Sequence, residues 1–246
     1  MSKEPRLDEQ IISQAAQAAL SSQLEAAEDL SLDVSTDVLK AAQGKADSVS
    51  ISGRGVVVQN VRVQELAVQT DRIAFNPLRI LLGQLELDQP IDATAQVSLT
   101  EADLNRAMQA EAVTSRLPAL TLNVEGEPIT VELVHPLAVT LPSDGKIALN
   151  GAALLQEREQ VRQVGFTVMI LPCTDEQSVR LESFVCEPGE ALSIELTIAL
   201  LQRFKEVLEQ PYIEIEGIAV KVKRVKIQAG KLCVETEAHI PQVPTL

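Results

Sequence analysis

At 246 residues and 46% hydrophobic side chains, the chain is long and apolar enough to bury a substantial core, which excludes wholesale disorder. Aromatics make up 2% of residues, with no Trp, one Tyr and four Phe, so base stacking on aromatic platforms is not available. A formal net charge of −14 repels polyanions, which argues against nucleic acid as a partner and against broad electrostatic adhesion to an anionic bilayer.

The opening MSKEPRLDEQ carries charge where a signal peptide needs an apolar core, so secretion is not expected. Leu7, Ile11, Ile12, Ala15, Ala19 and Leu20 recur at helical spacing and predict a helix over 7–24. Leu30, Leu32 and Val34 alternate as a strand. Ser35-Thr36-Asp37 then supplies an N-cap, VLKAAQ continues the helix and Gly44 ends it. From 46 to 75 the pattern is β, through Val49 and Ile51, Val61 and Val63, Leu66 and Val68, Ile73 and Phe75. The change of parity between Val63 and Leu66 predicts a β-bulge near Gln64-Glu65, and Gly53 and Gly55 a second bend. Asn76-Pro77 opens a short helix through Leu82, closed by Gly83.

The next strand points Ile91, Ala93, Ala95, Val97 and Leu99 one way and then runs into TEADLNRAM. Two carboxylates beside a hydroxyl resemble a catalytic corner, but such a pair needs a base or metal ligand nearby and the linear sequence shows none. Thr100 instead stands where an N-cap belongs, with Asp103 three residues on as its capping-box partner. Glu101 and Asp103 also favour the positive end of the helix dipole, and Leu104 and Met108 face inward. LDVSTDVLKAA repeats this design, a strand running straight into a short capped helix.

Ile129, Val131 and Leu133 lead to Leu137, Val139 and Leu141; SDG (143–145) then turns into Ile147 and Leu149. Val164, Phe166, Val168 and Ile170 form a strand whose other face, with Met169 and Leu171, is also apolar. TDEQS (174–178) turns it back into Val179, Leu181 and Val185. EPGE leads into the longest helix, about 191–209. Leu192, Leu196, Ala199, Leu200, Phe204, Val207 and Leu208 form its main stripe, and Ile194, Ile198 and Leu201 widen it. A helix so apolar calls for cover on nearly all sides. An ordinary core helix against one sheet is the plainer reading. The sharper one is a helix wrapped by a curved sheet whose aliphatic lining leaves room for an acyl chain.

Two last strands, about 213–227 and 231–239, are joined at AGK (229–231). VKVKRVK places Lys221 and Lys223 on one face, Arg224 and Lys226 on the other. Lysines protect an edge strand from aggregation; the functional alternative is attraction for a phosphate head group.

Without regular βαβ alternation the sheet should be mostly antiparallel. No linker rich in Gly, Pro or Ser divides the chain, so one domain over 1–246 is expected, with a core at about 28–240 and a tail at 241–246. ALSIELTIALL is too short to span a bilayer, and Glu195 interrupts it. Cys173, Cys186 and Cys233 lie far apart and are read as buried thiols, and His135 and His239 have no partner at metal-ligand intervals, so no metal or cofactor is expected. The GRG at 53–55 lacks the spacing and Lys of a phosphate loop, no GxSxG or HExxH occurs, and an enzyme is not expected.

The stretches ADSVSISGRGVVVQNVRVQELAVQTDRIAFNPLRILLGQLEL and PIDATAQVSLTEADLNRAM together resemble the LmeA-like phospholipid-binding family, a bacterial family. The marks are the SVSISG strand, the NPL helix start after a long β ribbon, and the LTEADLNRAM corner; these are structural signatures and carry no mechanism. The resemblance implies an α+β, TULIP-like fold, in which a long, highly curved, mostly antiparallel sheet wraps a long C-terminal helix, with short helices at strand ends. It implies a lipid-binding protein without catalysis, holding phospholipid acyl chains in an aliphatic groove for transfer or membrane maintenance. It favours the groove reading of 191–209. The tail contacts would be Phe166, Val168, Ile170, Leu192, Leu196, Leu200, Phe204, Ile213 and Ile215, with Lys221, Lys223, Arg224 and Lys226 at the head group. Family members that are exported carry a signal or anchor, so a cytoplasmic chain, peripheral on a membrane, is expected. The alternative is an adaptor of the same fold with a filled core and a protein partner.

Overall fold

Long runs of Val, Ile, Leu and Thr alternating with polar residues place most of the described residues in strands. The computed structural model describes residues 13–76 (other than 15, 19 and 23), 87–142 (other than 116 and 118), 145–157, 160–172, 179–187, 192–208, 213–215, 218–228 and 230–241. The expected helix at Pro77–Leu82 and the turn at TDEQS lie outside these residues. Two compact units are formed, one by residues 1–98, 211–223 and 234–246, the other by 99–210 and 224–233.

In the first unit, β1 (Asp29–Ser35) pairs antiparallel with β3 (Ser48–Val58), and β3 with β4 (Val61–Thr70). β4 pairs with β6 (Ile91–Thr100). Two-residue strands β2 (Lys45–Ala46) and β5 (Ile73–Ala74) pair separately. In strand order the seven-stranded sheet continues through β14 (Lys231–Ile240) and β13 (Ile218–Gln228), of which residues 231–233 and 224–228 are counted with the second unit, to β12 (Ile213–Ile215). Leu32, Val34, Val49 and Phe75 form its buried core together with Ala16, from the helical residues near the amino terminus.

Two expectations change here. β3 and β4 keep one register from Val49↔Thr70 to Val58↔Val61, so there is no bulge at Gln64-Glu65. The parity of the apolar residues shifts because positions 61–64 are half-buried on both faces, whereas Leu66, Val68 and Thr70 alternate with exposed neighbours. The hairpin closes on Gln59 and Asn60, both at positive φ (48° and 62°), the conformation that matches the twist of paired strands. Residues 213–227 are not one strand: Ile215 pairs with Ile218 and Ile213 with Val220, so β12 and β13 form a hairpin.

Both strand-to-helix corners are present, with different caps. At the start of α1 (Val38–Ala42), Asp37 Oδ1 accepts from the Lys40 N–H at 2.8 Å, while the Thr36 hydroxyl donates to the Lys45 carbonyl. Gly44, at φ 72°, closes that corner as its lack of a Cβ allows.

At the start of α2 (Glu101–Ala107) the capping box is complete. Thr100 Oγ1 accepts from the Asp103 N–H at 3.1 Å, and Asp103 Oδ2 accepts from the Thr100 N–H at 3.1 Å and hydroxyl at 2.6 Å. Asp103 is 3% exposed, so water cannot replace it. Asp103→Ala removes the N3 half of the capping box and leaves half-buried donors of Thr100 unpaired, and should cost about 1–2 kcal/mol. A urea midpoint within error of wild type would show that the box contributes nothing.

The second unit is built on an antiparallel meander in the order β11-β10-β9-β8-β7. Its strands are β7 (Leu120–Val124), β8 (Glu127–Thr140), β9 (Ile147–Glu157), β10 (Gln160–Leu171) and β11 (Arg180–Cys186). β8, with 14 residues, extends roughly 46 Å. Its register with β9 shifts between Val134 and Ala138, around the cis His135–Pro136 peptide. A short helix, α3 (Glu111–Thr114), precedes β7. Helix α4 (Ile194–Leu208) packs against β7 and β11, the two edges of the meander.

The fold is therefore mostly antiparallel sheet with few helices, and the C-terminal helix is shorter than expected, 15 residues where 191–209 was anticipated. Nor is it covered all round. Leu196 is 1% exposed and Leu200 9%, whereas Ile194 is 73% exposed and Ile198 50%. Among the described side chains its apolar residues occupy two faces, and the meander covers one.

A candidate lipid cavity under helix α4

The inward positions of the meander are aliphatic because each strand alternates, and successive strands bring the same parity to one face. Val131 on β8, Leu155 on β9, and Val164 and Val168 on β10 are all buried and form one core with Leu196 and Leu200 of α4. Beside this core lies a cavity of about 250 Å³. Leu120 of β7, Leu133 of β8, Leu149 and Ala153 of β9, Phe166 of β10 and Phe184 of β11 contribute to its wall. Five strands spaced ~4.8 Å apart would spread about 19 Å if flat, so a sheet lining one small cavity from edge to edge must curl.

Glycine and aromatic residues shape one side. Gly151 on β9 pairs with Phe166, and a Cβ there would lie 2.4 Å from Leu137 Cδ2; the bare backbone lets Leu137 pack, 2% exposed. Phe166 stacks on Phe184 with centroids 6.1 Å apart and planes at 18°. The corner at Thr100 anchors the unit from outside the cavity. Asn105 Nδ2 donates to the Val139 carbonyl at 2.7 Å, and its Oδ1 accepts from the Val139 N–H at 2.8 Å. Glu101 Oε2 accepts from the Leu141 N–H. TEAD is thus an architectural corner, tying α2 to the end of β8.

Of the expected tail contacts, Phe166, Leu192 and Leu200 line the cavity. Val168 (0% exposed) and Leu196 are core residues, and Ile170 packs against that core. The side chains of Phe204, Ile213 and Ile215 lie outside the described residues; Ile213 and Ile215 belong to β12 in the first unit. Among the described residues, twelve of the thirteen that line the cavity are hydrophobic, and the thirteenth is Arg203 of α4. Sequence reading missed Arg203, although its position three residues after Leu200 set a cation on the buried stripe of the helix.

The expected head-group cations are divided between the units. Lys221 and Lys223 belong to the first, Arg224 and Lys226 to the second. Lys223 Nζ lies 3.1 Å from Glu237 Oε1. Lys221 lines a polar recess of about 630 Å³ in the first unit, together with Asp71, Asp92, Glu237 and His239. His239 Nδ1 is 2.8 Å from Asp92 Oδ1. Carboxylates therefore oppose the positive charge of Lys221 and Lys223.

Cys186 and Cys233 are half-buried and outside any disulfide, less enclosed than expected. Among the described residues no helix is long and apolar enough to cross a membrane.

The family model described as LmeA-like phospholipid-binding matches residues 6–237, nearly the whole chain. That description is of lipid binding and names no reaction. No curated protein sequence matches the chain.

Proposed function

The chain belongs to the LmeA-like phospholipid-binding family, and we propose that it holds a phospholipid acyl chain in the cavity between the meander and α4, without catalysing a reaction. The observation that carries this reading is the chemistry of the wall: among the described residues that line it, all but Arg203 are aliphatic or phenyl. A hydrocarbon gains about 0.8 kcal/mol per buried methylene, so even six methylenes are worth roughly 5 kcal/mol before the ordering costs of binding. No polar site is needed for that affinity, which accounts for a binder almost without aromatics or motifs. The cavity of about 250 Å³ lies below the roughly 300–1,000 Å³ of pockets that enclose whole ligands, so it suits part of one tail.

A cargo drawn from a bilayer requires peripheral contact with one. The outward residues Ile194, Ile198 and Leu201 on the helix that walls the cavity supply apolar surface for it. Transfer or membrane maintenance, from a cytoplasmic position, is the role consistent with such a carrier.

Native mass spectrometry of the purified protein before and after harsh delipidation, followed by uptake of a fluorescent phospholipid, tests the proposal. A lipid-sized mass difference and saturable uptake are expected. Identical masses together with no uptake would leave the adaptor reading, a protein-binding module of the same fold.

The β13 cations take part in head-group attraction within this proposal. Changing Lys221, Lys223, Arg224 and Lys226 to Gln should weaken binding to anionic vesicles several-fold with the fold intact. Each cation contributes at most about 1 kcal/mol near an anionic surface, less where a carboxylate already pairs with it. Unchanged vesicle sedimentation would remove the head-group role from this strand.

A further inference from the structure

Resting on the reading of the cavity as a phospholipid site, we propose that Arg203 is the group that binds the lipid phosphate, exchanging its carboxylate partner Glu206 for the phosphodiester. Arg203 is the one charged residue among the described residues that line the cavity. Leu196 and Leu200 stand one turn apart on the same inward stripe, and Arg203 follows Leu200 by about 4.5 Å along the helix axis. Apolar wall and cation thus succeed one another in the order of an amphiphile, tail and then phosphate. The side chain suits both: a methylene stem can cover apolar surface, and Arg203 borders the cavity while its side chain, 47% exposed, reaches solvent.

The present partner of the guanidinium is replaceable. Arg203 Nη1 lies 2.8 Å from Glu206 Oε2, and both side chains are well exposed, at 47% and 64%. An exposed pair three residues apart on a helix holds weakly. A phosphodiester accepts two N–H donors of the guanidinium fork at once, and that bidentate geometry, in a setting partly screened from water, outcompetes a single exposed carboxylate contact. Glu206 then acts as a placeholder that keeps the empty cavity from presenting an unpaired cation to solutes without tails.

The experiment uses the delipidated full chain and three probes: fluorescent phosphatidylglycerol, diacylglycerol with the same tails and label, and unlabelled glycerol phosphate. Wild type should take up the phospholipid at least about tenfold more tightly than the diacylglycerol, the range of charge-assisted hydrogen bonding. Arg203→Gln should bring that ratio close to one by weakening phospholipid uptake, and Arg203→Lys should restore part of it. Glu206→Gln should raise the ratio two- to threefold. Glycerol phosphate in excess should not displace the lipid; displacement at concentrations near that of the lipid would make Arg203 a site for free anions and overturn the proposal. An Arg203→Gln ratio equal to wild type would also overturn it. A wild type that takes up both lipids equally defeats this inference alone, whereas one that takes up neither defeats the cavity reading on which it rests.

Discussion

Ala153→Phe should abolish acyl-chain uptake while leaving the melting temperature at or above that of wild type. Ala153 lies in the middle of β9, opposite Val164 on one side and Leu133 on the other, and is 7% exposed in the cavity wall. Adding a ring to a filled core forces neighbours off their rotamers and costs about 1–3 kcal/mol. Here the ring enters existing void, so it gains contacts that the wall lacks at present. A guest deprived of space for about six methylenes loses roughly 5 kcal/mol, more than a thousandfold in affinity. Phospholipid titration and a thermal melt on the same samples read both halves. Unimpaired uptake by a folded variant would place the lipid elsewhere. Should Ala153→Phe fail to fold, Leu149→Trp fills the same cavity from a half-buried position and carries the same expectation.

Leu196→Ala should destabilise the second unit by about 3 kcal/mol, whereas Ile194→Ala or Ile198→Ala changes stability by less than about 0.5 kcal/mol. The residues are close in sequence and similar in size, and differ in where the helix turns them. Leu196 is 1% exposed, within the core formed by β7 to β10; Ile194 and Ile198 are 73% and 50% exposed. Emptying the Leu196 site leaves a cavity that the curled sheet cannot close, while truncating an outward Ile removes surface that water already reaches. Urea unfolding of the three variants decides the matter. Equal losses would mean that α4 is buried on both faces and that its outer stripe is not available to a membrane.

The corner at Thr100 was legible because capping is local. Thr100 and Asp103 lie three residues apart, and their reciprocal bonds need nothing else from the fold. The Asn105 clamp on Val139 was not legible, since its partner lies 34 residues away and becomes adjacent only when β8 reaches α2. The first corner shows the limit of analogy. Thr36 and Thr100 match in the sequence pattern, yet Asp37 caps α1, because that helix starts at Val38, one residue further from its Thr than α2 does, and Asp37 Oδ1 accepts from the Lys40 N–H. The parity change in β4 suggested a bulge because alternation reports burial, not register, and at the turn end of that hairpin burial is shared by both faces.

Helix α4 and the alternating strands follow from residue periodicity, and so does the antiparallel class of the sheet, because both depend on spacing along the chain. Membership of a phospholipid-binding family was likewise written in the linear order of strand, ribbon and corner. What the chain could not specify by itself was which of the two apolar faces of α4 would be covered, and that the inner one would border a void. A cavity is the difference between the curvature of a sheet and the bulk of side chains drawn from all five of its strands, so it exists only after those strands have paired. Arg203 acquires its meaning in the same way: beside Glu206 it is an ordinary helix-surface cation, and only the closing of the meander around Leu200 sets it on the edge of an apolar chamber.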